Sequence, residues 1–113
     1  MPYIDIRVSK QVDAQTKNVL QKEIAANMTI IPGKTASNTV ICIFDSCSMY
    51  VDYEADERAF IDVRLFQSSP EESKFKFSEK LFTLFEEILK IPPNKVTINF
   101  IELPNWASNG SYK

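Results

Sequence analysis

A six-residue pattern decides the fold because the chain contains it twice. Residues 3–8 read YIDIRV and residues 60–65 read FIDVRL, which match as aromatic, Ile, Asp, β-branched, Arg and aliphatic. In both segments aliphatic side chains alternate with polar or aromatic ones, which is the period of a β-strand with one buried face. This internal repeat predicts two equivalent strands, one in each half of the chain.

A helical pattern follows the first of these strands. Apolar residues recur at spacings of four, four and three, which predicts a helix over roughly residues 11–30. The polar residues between them point away from the core. The predicted buried positions are Leu20, Ile24, Met28 and Ile31.

A second helix follows the second strand and carries clearer start signals. Ser69 suits an N-cap, Pro70 suits the first helical position, and Glu72 comes three residues after the cap. The helix is predicted to continue to about Lys90. Its buried stripe is predicted to comprise Phe77, Leu81, Leu84, Phe85 and Ile88, widened by Phe75, Phe82 and Leu89.

Each helix ends at a proline-containing turn, after which another strand is predicted, at residues 39–44 and 95–102. The chain is then βαβ twice, with pseudo-repeats at about 2–45 and 59–103 in a single domain of residues 1–113. Strand–helix–strand units of this length pair their strands in parallel, with a fixed hand. We therefore predict an α+β two-layer fold, with a four-stranded mixed sheet and both helices on one face.

The two helices can bury only one face of this sheet. Its other face mixes charged and polar side chains with aromatic and aliphatic ones: Asp5, Arg7, Asp62, Arg64, Thr97, Asn99, Tyr3, Phe60, Phe66 and Ile101. One interpretation is a half-wet open face. The aromatic content favours the other interpretation, burial by self-association, with Asp and Arg paired across strands or subunits.

The composition restricts the chemistry. The chain has no histidine, which excludes Ser–His and Cys–His catalysis and every zinc site that contains histidine. Its net charge of −2 argues against a nucleic-acid binder that works by general electrostatic attraction. The acidic residues Asp52, Glu54, Asp56 and Glu57 lack the spacing of a calcium loop and are interpreted as a solvated charge run.

The two cysteines predict neither a disulfide framework nor a redox pair. Cys42 and Cys47 are five positions apart, without CxxC spacing. Cys42 lies in an apolar run and is predicted to be a core residue, with Cys47 a free thiol nearby. The N-terminus has no apolar segment typical of a secretory signal, and no stretch is long enough to span a membrane. A soluble, cytoplasmic protein is the expectation.

Pro2 is the candidate proton-transfer group. Once Met1 is removed, Pro2 presents a secondary amine at the start of the first strand. An α-amino group has a pKa of about 7.7–8.0, and burial or a nearby lysine would lower that pKa. Such an amine could act as a general base near neutral pH. Proline is common at position two, so this position alone says little.

Four motifs strengthen the hypothesis that Pro2 is the proton-transfer group. They are Pro2 at the start of the first strand, Gly33-Lys34 after the first helix, PPNKVTINF at residues 92–100 and NWASNGS at residues 105–111. Together they resemble the macrophage migration inhibitory factor family of tautomerases, over nearly the whole chain. The resemblance implies a homotrimer whose sheets form a central barrel, with three active sites at subunit boundaries. It also implies a reaction that needs no metal or cofactor.

The resemblance assigns roles to particular residues. Pro2 would be the catalytic base in keto–enol tautomerisation of a phenylpyruvate-like α-keto acid, and Lys34 would pair with the substrate carboxylate. The other substrate-binding residues that it implies are Asn99 from the neighbouring subunit, Phe66, and Tyr3 and Trp106 at the mouth of the pocket. From the residues alone, Trp106 is equally well interpreted as a side chain that fills the core.

Departures from the family pattern leave a second function open. Thr97 stands where the family often has a tyrosine, and Phe66 where an isoleucine is usual. The alternative is a signalling or protein-interaction trimer with weak or vestigial tautomerase activity and a protein receptor. Family members of this cytokine-like kind can be secreted by a route without a signal peptide. An unrelated ferredoxin-like binder of small molecules is disfavoured by the terminal motifs.

Overall fold

A computed structural model describes the whole chain, Met1–Lys113. It contains two α-helices, one four-stranded sheet and two short hairpins. In chain order the elements are β1 (Tyr3–Val8), α1 (Ala14–Ala26), β2 (Val40–Phe44), β3 (Tyr50–Val51), β4 (Glu54–Ala55), β5 (Ala59–Phe66), α2 (Glu71–Leu89), β6 (Val96–Leu103), β7 (Ala107–Ser108) and β8 (Ser111–Tyr112). No helix is both long and apolar enough to cross a membrane.

The main sheet has the strand order β2-β1-β5-β6. The strands β1 and β2 pair in parallel, β5 and β6 pair in parallel, and the two halves meet through the antiparallel pair β1 and β5. The repeated segments therefore lie side by side, with Asp5 opposite Asp62 and Ile6 opposite Ile61. The prediction of two βαβ units in one mixed sheet is confirmed, and the predicted strand bounds are within one residue of those observed.

One face of the sheet is closed by both helices. The alternate aliphatic residues of β1 and β5 are fully buried there: Ile4, Ile6, Val8, Ile61, Val63 and Leu65. The helices contribute the apolar residues that were predicted to face the sheet, with Leu20 and Ile24 from α1 and Phe77, Leu81 and Phe85 from α2. We call this surface the covered face.

Helix α1 is shorter than its predicted range. It begins after Asp13, whose carboxylate accepts the N–H of Thr16 at 2.7 Å and so caps the first turn. It ends at Ala26, and Met28–Ile30 forms a separate 3₁₀ turn. Asn27 separates the two, and its side-chain amide donates to the Glu23 carbonyl at 2.7 Å.

The predicted start of α2 is wrong. The helix begins at Glu71, and Pro70 is the cap residue rather than the first helical one, with extended backbone at φ −58 and ψ 139. Ser69 does not cap the helix with its side chain. Its backbone N–H instead donates to Glu102 Oε2 at 2.6 Å, which ties the residue to β6.

Part of the predicted apolar stripe of α2 is also wrong. Phe75 is 66% exposed, because it precedes the buried Phe77 by two positions and so lies on the opposite side of the helix. Phe82 and Ile88 are only half-buried at the margin of the core, whereas Leu89 is buried.

Cys42 is not the core residue that was predicted. It lies on the edge strand β2, where Ile41 and Ile43 pack against the core and Cys42 points to the other side of the sheet. An apolar run on an edge strand buries one side only, which explains why Cys42 is half-buried. Both Cys42 and Cys47 are free thiols.

The opposite side of the sheet, which we call the open face, is covered by no helix. Neighbouring strands align its side chains in three rows across β2, β1, β5 and β6: Val40, Tyr3, Arg64 and Ile101; then Cys42, Asp5, Asp62 and Asn99; then Phe44, Arg7, Phe60 and Thr97. The predicted mixture of charged and aromatic residues on this face is confirmed.

Candidate active site at the Pro2 end of the sheet

Pro2 is fixed at one end of the sheet. It lies immediately before β1, is buried, and its carbonyl accepts the N–H of Val40 at 2.9 Å. Because Tyr3 pairs with Arg64 in the antiparallel strand, the chain before Tyr3 runs towards Phe66 at the end of β5. The start of β1, the start of β2 and the end of β5 therefore meet around Pro2.

The terminal amine lies in an electropositive, partly buried environment. Partial burial is the main cause that lowers the pKa of the Met1 amine, and the positive charges of Lys34 and Lys113 lower it further. A lowered pKa increases the fraction of neutral amine at pH 7. The Pro2 nitrogen belongs to a peptide bond while Met1 is present, so it gains basicity only when Met1 is removed.

A tight turn positions Lys34. Gly33 has φ +80, a conformation that glycine adopts without steric cost, and the Lys34 N–H donates to the Ile31 carbonyl at 3.1 Å. The turn brings Lys34 to the start of β2, and its charge acts on the terminal amine. The side chain is half-buried and forms no ion pair within the chain.

Phe66 and Trp106 form an aromatic wall at the same end. Their ring centroids are 6.3 Å apart and the rings are tilted by 43°. The Gln67 N–H donates to the Leu103 carbonyl at 2.9 Å, which holds the ends of β5 and β6 together beneath these rings. Both aromatic side chains are half-buried, so each keeps a surface that a ligand can contact.

Tyr3 lies beside Pro2, but its hydroxyl is already engaged. The phenol donates to Asp5 Oδ2 at 3.2 Å, and the Arg64 guanidinium lies 5.1 Å from the ring centroid. Burial chiefly raises the pKa of Tyr3, and the neighbouring Cys42 and Asp5 raise it further. The phenol therefore stays protonated at neutral pH and points along the open face.

The single chain does not bring Asn99 to Pro2. Asn99 lies opposite Asp62 on the middle row of the open face, and its side-chain amide donates to Asp62 Oδ1. That position is roughly 10 Å from the Pro2 end along the strands and about another 10 Å across two strand spacings. Asn99 could reach a Pro2 site only in another copy of the chain.

The residues around Pro2 form an open corner rather than an enclosed cavity. The most voluminous concavity, about 450 Å³, lies between α2 and β6 and is lined by Phe75, Phe82 and Phe100, among others. None of the four concavities is lined by Pro2, Lys34, Phe66 or Trp106. There is no group of three or more cysteine or carboxylate side chains arranged to hold a metal ion.

Lys113 is a residue of this corner that the sequence interpretation missed. Its N–H donates to the Trp106 carbonyl at 2.8 Å, and its side-chain charge acts on the terminal amine. The available signal was Asn109-Gly110, a dipeptide typical of a two-residue hairpin turn, which predicts that the tail folds back on itself.

Comparison with known proteins identifies the family of the chain. The model of the macrophage migration inhibitory factor (MIF) family matches residues 1–112, and the chain therefore belongs to this family. A search of curated protein sequences finds no match.

Solved structures share the fold at low sequence identity. MIF2 of Leishmania major is 14% identical, with a TM-score of 0.90, over 100% of this chain and 97% of that one. The MIF-like protein of Entamoeba histolytica is 20% identical, with a TM-score of 0.84, over 99% and 98%. A fused 4-OT described as an asymmetric trimer is 12% identical, with a TM-score of 0.87, over 97% and 94%. The fold is thus the one that these MIF and 4-OT structures share.

Proposed function

We propose that the protein is a keto–enol tautomerase that uses Pro2 as its general base after removal of Met1. The observation that carries the proposal is the environment of Pro2, which is buried at the start of β1 in a chain of the MIF family. The lowered pKa of the Met1 amine supports it, because the Pro2 amine that replaces it after removal of Met1 would lie one residue away, near the same positive charges, which favour a neutral amine able to accept a proton.

The proposed reaction is an isomerisation with no net gain or loss of atoms. The Pro2 nitrogen takes a proton from the carbon next to the keto group. The C–H electron pair forms a C=C bond, and the carbonyl π electrons move to the oxygen. Protonated Pro2 then gives its proton to that oxygen, and the reverse sequence returns the keto form. The positive charges near the amine would also stabilise the negative charge of the enolate.

We propose a phenylpyruvate-like α-keto acid as the first substrate to test. Lys34 carries a charge with no carboxylate partner in the chain and would pair with the substrate carboxylate. Phe66 and Trp106 would contact the aryl group, with Tyr3 also at the mouth of the pocket and Asn99 supplied by a second subunit.

A homotrimer is part of the proposal. The corner around Pro2 is not enclosed in one chain, Asn99 lies away from it, and the open face carries Phe60 at 47% exposure and Phe44 at 39%. Another copy of the chain, packed against the open face, would cover these rings and complete the pocket. Light scattering should give three times the chain mass of 13.0 kDa, and a monomeric mass would contradict this part of the proposal.

The central experiment compares proton transfer with and without the Pro2 amine. Intact mass first establishes that Met1 is absent, and phenylpyruvate ketonisation is then followed by absorbance. Pro2→Gly should lower kcat/KM, because it replaces the rigid secondary amine with a primary one. A chain with one extra alanine between Met1 and Pro2 buries the Pro2 nitrogen in an amide and should lose roughly 10²–10⁴-fold, the usual contribution of a general base. Wild-type rates in both variants would refute the mechanism.

The role of Lys34 in binding the substrate carboxylate is tested by which kinetic parameters change when its charge is removed. Lys34→Gln should raise KM for phenylpyruvate, because an ion pair with the carboxylate is lost. It should also move the acidic limb of the kcat/KM profile to higher pH, since Lys34 lowers the pKa of the Met1 amine and its charge should act in the same direction on the Pro2 amine one residue away. Lys22→Gln is a matched control, because Lys22 is exposed on α1 and its side chain forms no ion pair or hydrogen bond. Unchanged kinetics in Lys34→Gln would remove Lys34 from the site.

The second candidate is a signalling or protein-interaction trimer with weak catalysis. The hairpin of β3 and β4 favours it, because Tyr50 is 68% exposed and Tyr53, at the turn, is 98% exposed with φ +71. A trimer whose phenylpyruvate rate is low and unchanged by Pro2→Gly would support this candidate over the enzyme. The proposed location remains the cytoplasm, or secretion without a signal peptide.

A further inference from the structure

We propose that Lys113 is a second anion-binding residue of the Pro2 site, so that the site prefers keto acids with two carboxylates over keto acids with one. This inference rests on the proposed function, because it assigns the substrate class of the same site. It does not rest on the family, whose implied substrate is a phenylpyruvate-like acid with a single carboxylate.

The hairpin of the C-terminal tail places Lys113 at the Pro2 end. Asn109 and Gly110 have φ values of +54 and +77, which makes the tight turn that brings β8 back along β7. The Lys113 N–H donates to the Trp106 carbonyl at 2.8 Å, and Tyr112 donates its hydroxyl to Asn105 Oδ1 at 3.1 Å. The backbone of Lys113 is therefore fixed beside Trp106.

Trp106 connects this hairpin to the residues around Pro2. Its ring lies 6.3 Å from the ring of Phe66, the last residue of β5. The strand β5 is antiparallel to β1, with Arg64 opposite Tyr3, so Phe66 lies across from the start of the chain. The positive charges of Lys34 and Lys113 both act on the amine of Met1, one residue before Pro2, which agrees with this placement.

The two lysines are unneutralised in a chain that neutralises most of its basic groups. Of the 13 basic side chains, eight form ion pairs within the chain, among them Lys74 with Glu102 at 2.9 Å and Lys17 with Asp45 at 2.8 Å. Lys34 and Lys113 form none, although the chain carries a net charge of −2. Two unpaired cations at one corner attract a ligand with two negative charges.

A keto diacid matches this pair of charges. Lys34 would hold the carboxylate next to the keto group, and Lys113 would hold the second carboxylate, beyond the carbon that loses its proton. The second carboxylate also conjugates with the enol, so the proton on the intervening carbon is acidic. Pro2 takes up that proton and returns it to the enol oxygen, as in the proposed reaction. A monoacid leaves Lys113 without a partner and gains nothing from it.

Binding is tested first, without turnover. Trp106 is the only tryptophan of the chain, so its fluorescence reports on the site. Succinate and butyrate are inert four-carbon acids that differ by one carboxylate, and they are compared at constant ionic strength because salt screens charge pairs. Wild type should bind succinate about tenfold more tightly than butyrate, as expected for one additional charge-assisted contact at the low end of its usual strength. Equal affinities would overturn the proposal.

The variant Lys113→Gln then identifies the residue. It should weaken succinate binding to within about threefold of butyrate and leave butyrate binding within about twofold, since a monoacid does not use this contact. Lys113→Arg should keep most of the succinate preference. Lys22→Gln, an exposed unpaired lysine on α1, should change neither affinity. A Lys113→Gln protein with the wild-type succinate preference would overturn the proposal.

Turnover separates this inference from the proposed function. For wild type, kcat/KM for oxaloacetate ketonisation should exceed that for phenylpyruvate. At a pH where the catalytic amine is fully neutral, so that any effect of Lys113 on its pKa does not change the rate, Lys113→Gln should lower the oxaloacetate value about tenfold while changing the phenylpyruvate value by less than twofold. Equal losses on both substrates would overturn the assignment of Lys113. If neither compound is tautomerised, the proposed function fails, and the succinate and butyrate affinities alone decide whether Lys113 binds a second carboxylate.

Discussion

The covered and open faces of the sheet are made by the same strands and have opposite chemistry. On β5, Ile61 is fully buried against the helices, whereas its neighbour Phe60 on the open face is 47% exposed. On β1, Ile4 and Ile6 are fully buried, whereas Asp5 between them bonds to side chains of the open face. The helices supply a partner for one face only.

This difference shows which face of the sheet is fully packed in a single chain. The covered face is closed by apolar burial, which needs no further partner. The open face balances its charges locally, since Arg7 Nε donates to Asp5 Oδ1 at 3.0 Å, yet it leaves aromatic rings in contact with water. Its charged side chains pair with one another within the chain, whereas its apolar side chains have no packing partner in a single chain.

The largest expected effect comes from truncating the covered face. Ile61→Ala should lower the free energy of unfolding by about 2–5 kcal/mol, because it leaves a cavity in a fully buried core. Its neighbour Phe60→Ala should cost less than about 1 kcal/mol at low protein concentration, as for an exposed residue. Urea unfolding measures both. A larger Phe60→Ala loss at high concentration would show that another copy covers the open face, whereas equal losses at low concentration would contradict the distinction.

An intermediate effect is expected from the charged row of the open face. Asp5 is 6% exposed and accepts bonds from Tyr3 and Arg7. Asp5→Asn should destabilise the chain by about 1 kcal/mol, because a charge-assisted bond to a half-exposed arginine is lost. Asp52→Asn, in the exposed hairpin turn, should have no effect on the urea midpoint. A more stable Asp5→Asn protein would mean that repulsion between Asp5 and the opposite Asp62 outweighs the pairing.

The smallest effect concerns how α1 is held over the covered face, and it depends on pH. Asp45, just after β2, accepts the N–H of Val12 at 2.9 Å and the ammonium of Lys17 at 2.8 Å, and the Lys17 bond is the main cause that lowers the pKa of Asp45 to about 2. A lowered pKa stabilises the fold fully above the unfolded pKa, near about 3.9, and this contribution disappears as the pH falls through about 2.

The corresponding variant is Asp45→Asn. Its urea midpoint should lie below that of wild type at pH 6, and the gap should shrink below about pH 4 and close towards pH 2. Lys17→Gln should show part of the same gap, because the bond from Val12 remains. A gap that does not change with pH would show that the carboxylate charge is not what holds the helix.

The fold was largely predictable because it depends on periodicity. The alternation in YIDIRV and FIDVRL sets both faces of the sheet, and the spacing of Leu20 and Ile24 sets the buried side of α1. The predictions are wrong where a residue or strand far away in the sequence determines the local structure. Ser69 follows the local pattern of an N-cap, but Glu102, 33 positions later in the chain, takes its N–H. Cys42 lies in an apolar run, but its strand is at the edge of the sheet.

The candidate site was predictable only in part. Pro2, Lys34 and Trp106 could be proposed from motifs near the chain ends and turns. Lys113 could not be ranked above the other lysines, because its importance depends on a backbone bond to Trp106 and on its closeness to the terminal amine. Asn99 is bonded to Asp62 in its own chain, so its role depends on a second subunit.

The sequence by itself determined the two βαβ units, the apolar side of each helix and the position of proline at the start of the first strand, because these follow from local periodicity and chain order. Only the tertiary structure decided that Pro2, Lys34, Phe66, Trp106 and Lys113 meet at one end of the sheet. The physical reason is the antiparallel pairing of β1 with β5, which brings the beginning of the chain to the end of the third sheet strand. The tail hairpin then adds its cation at the same corner.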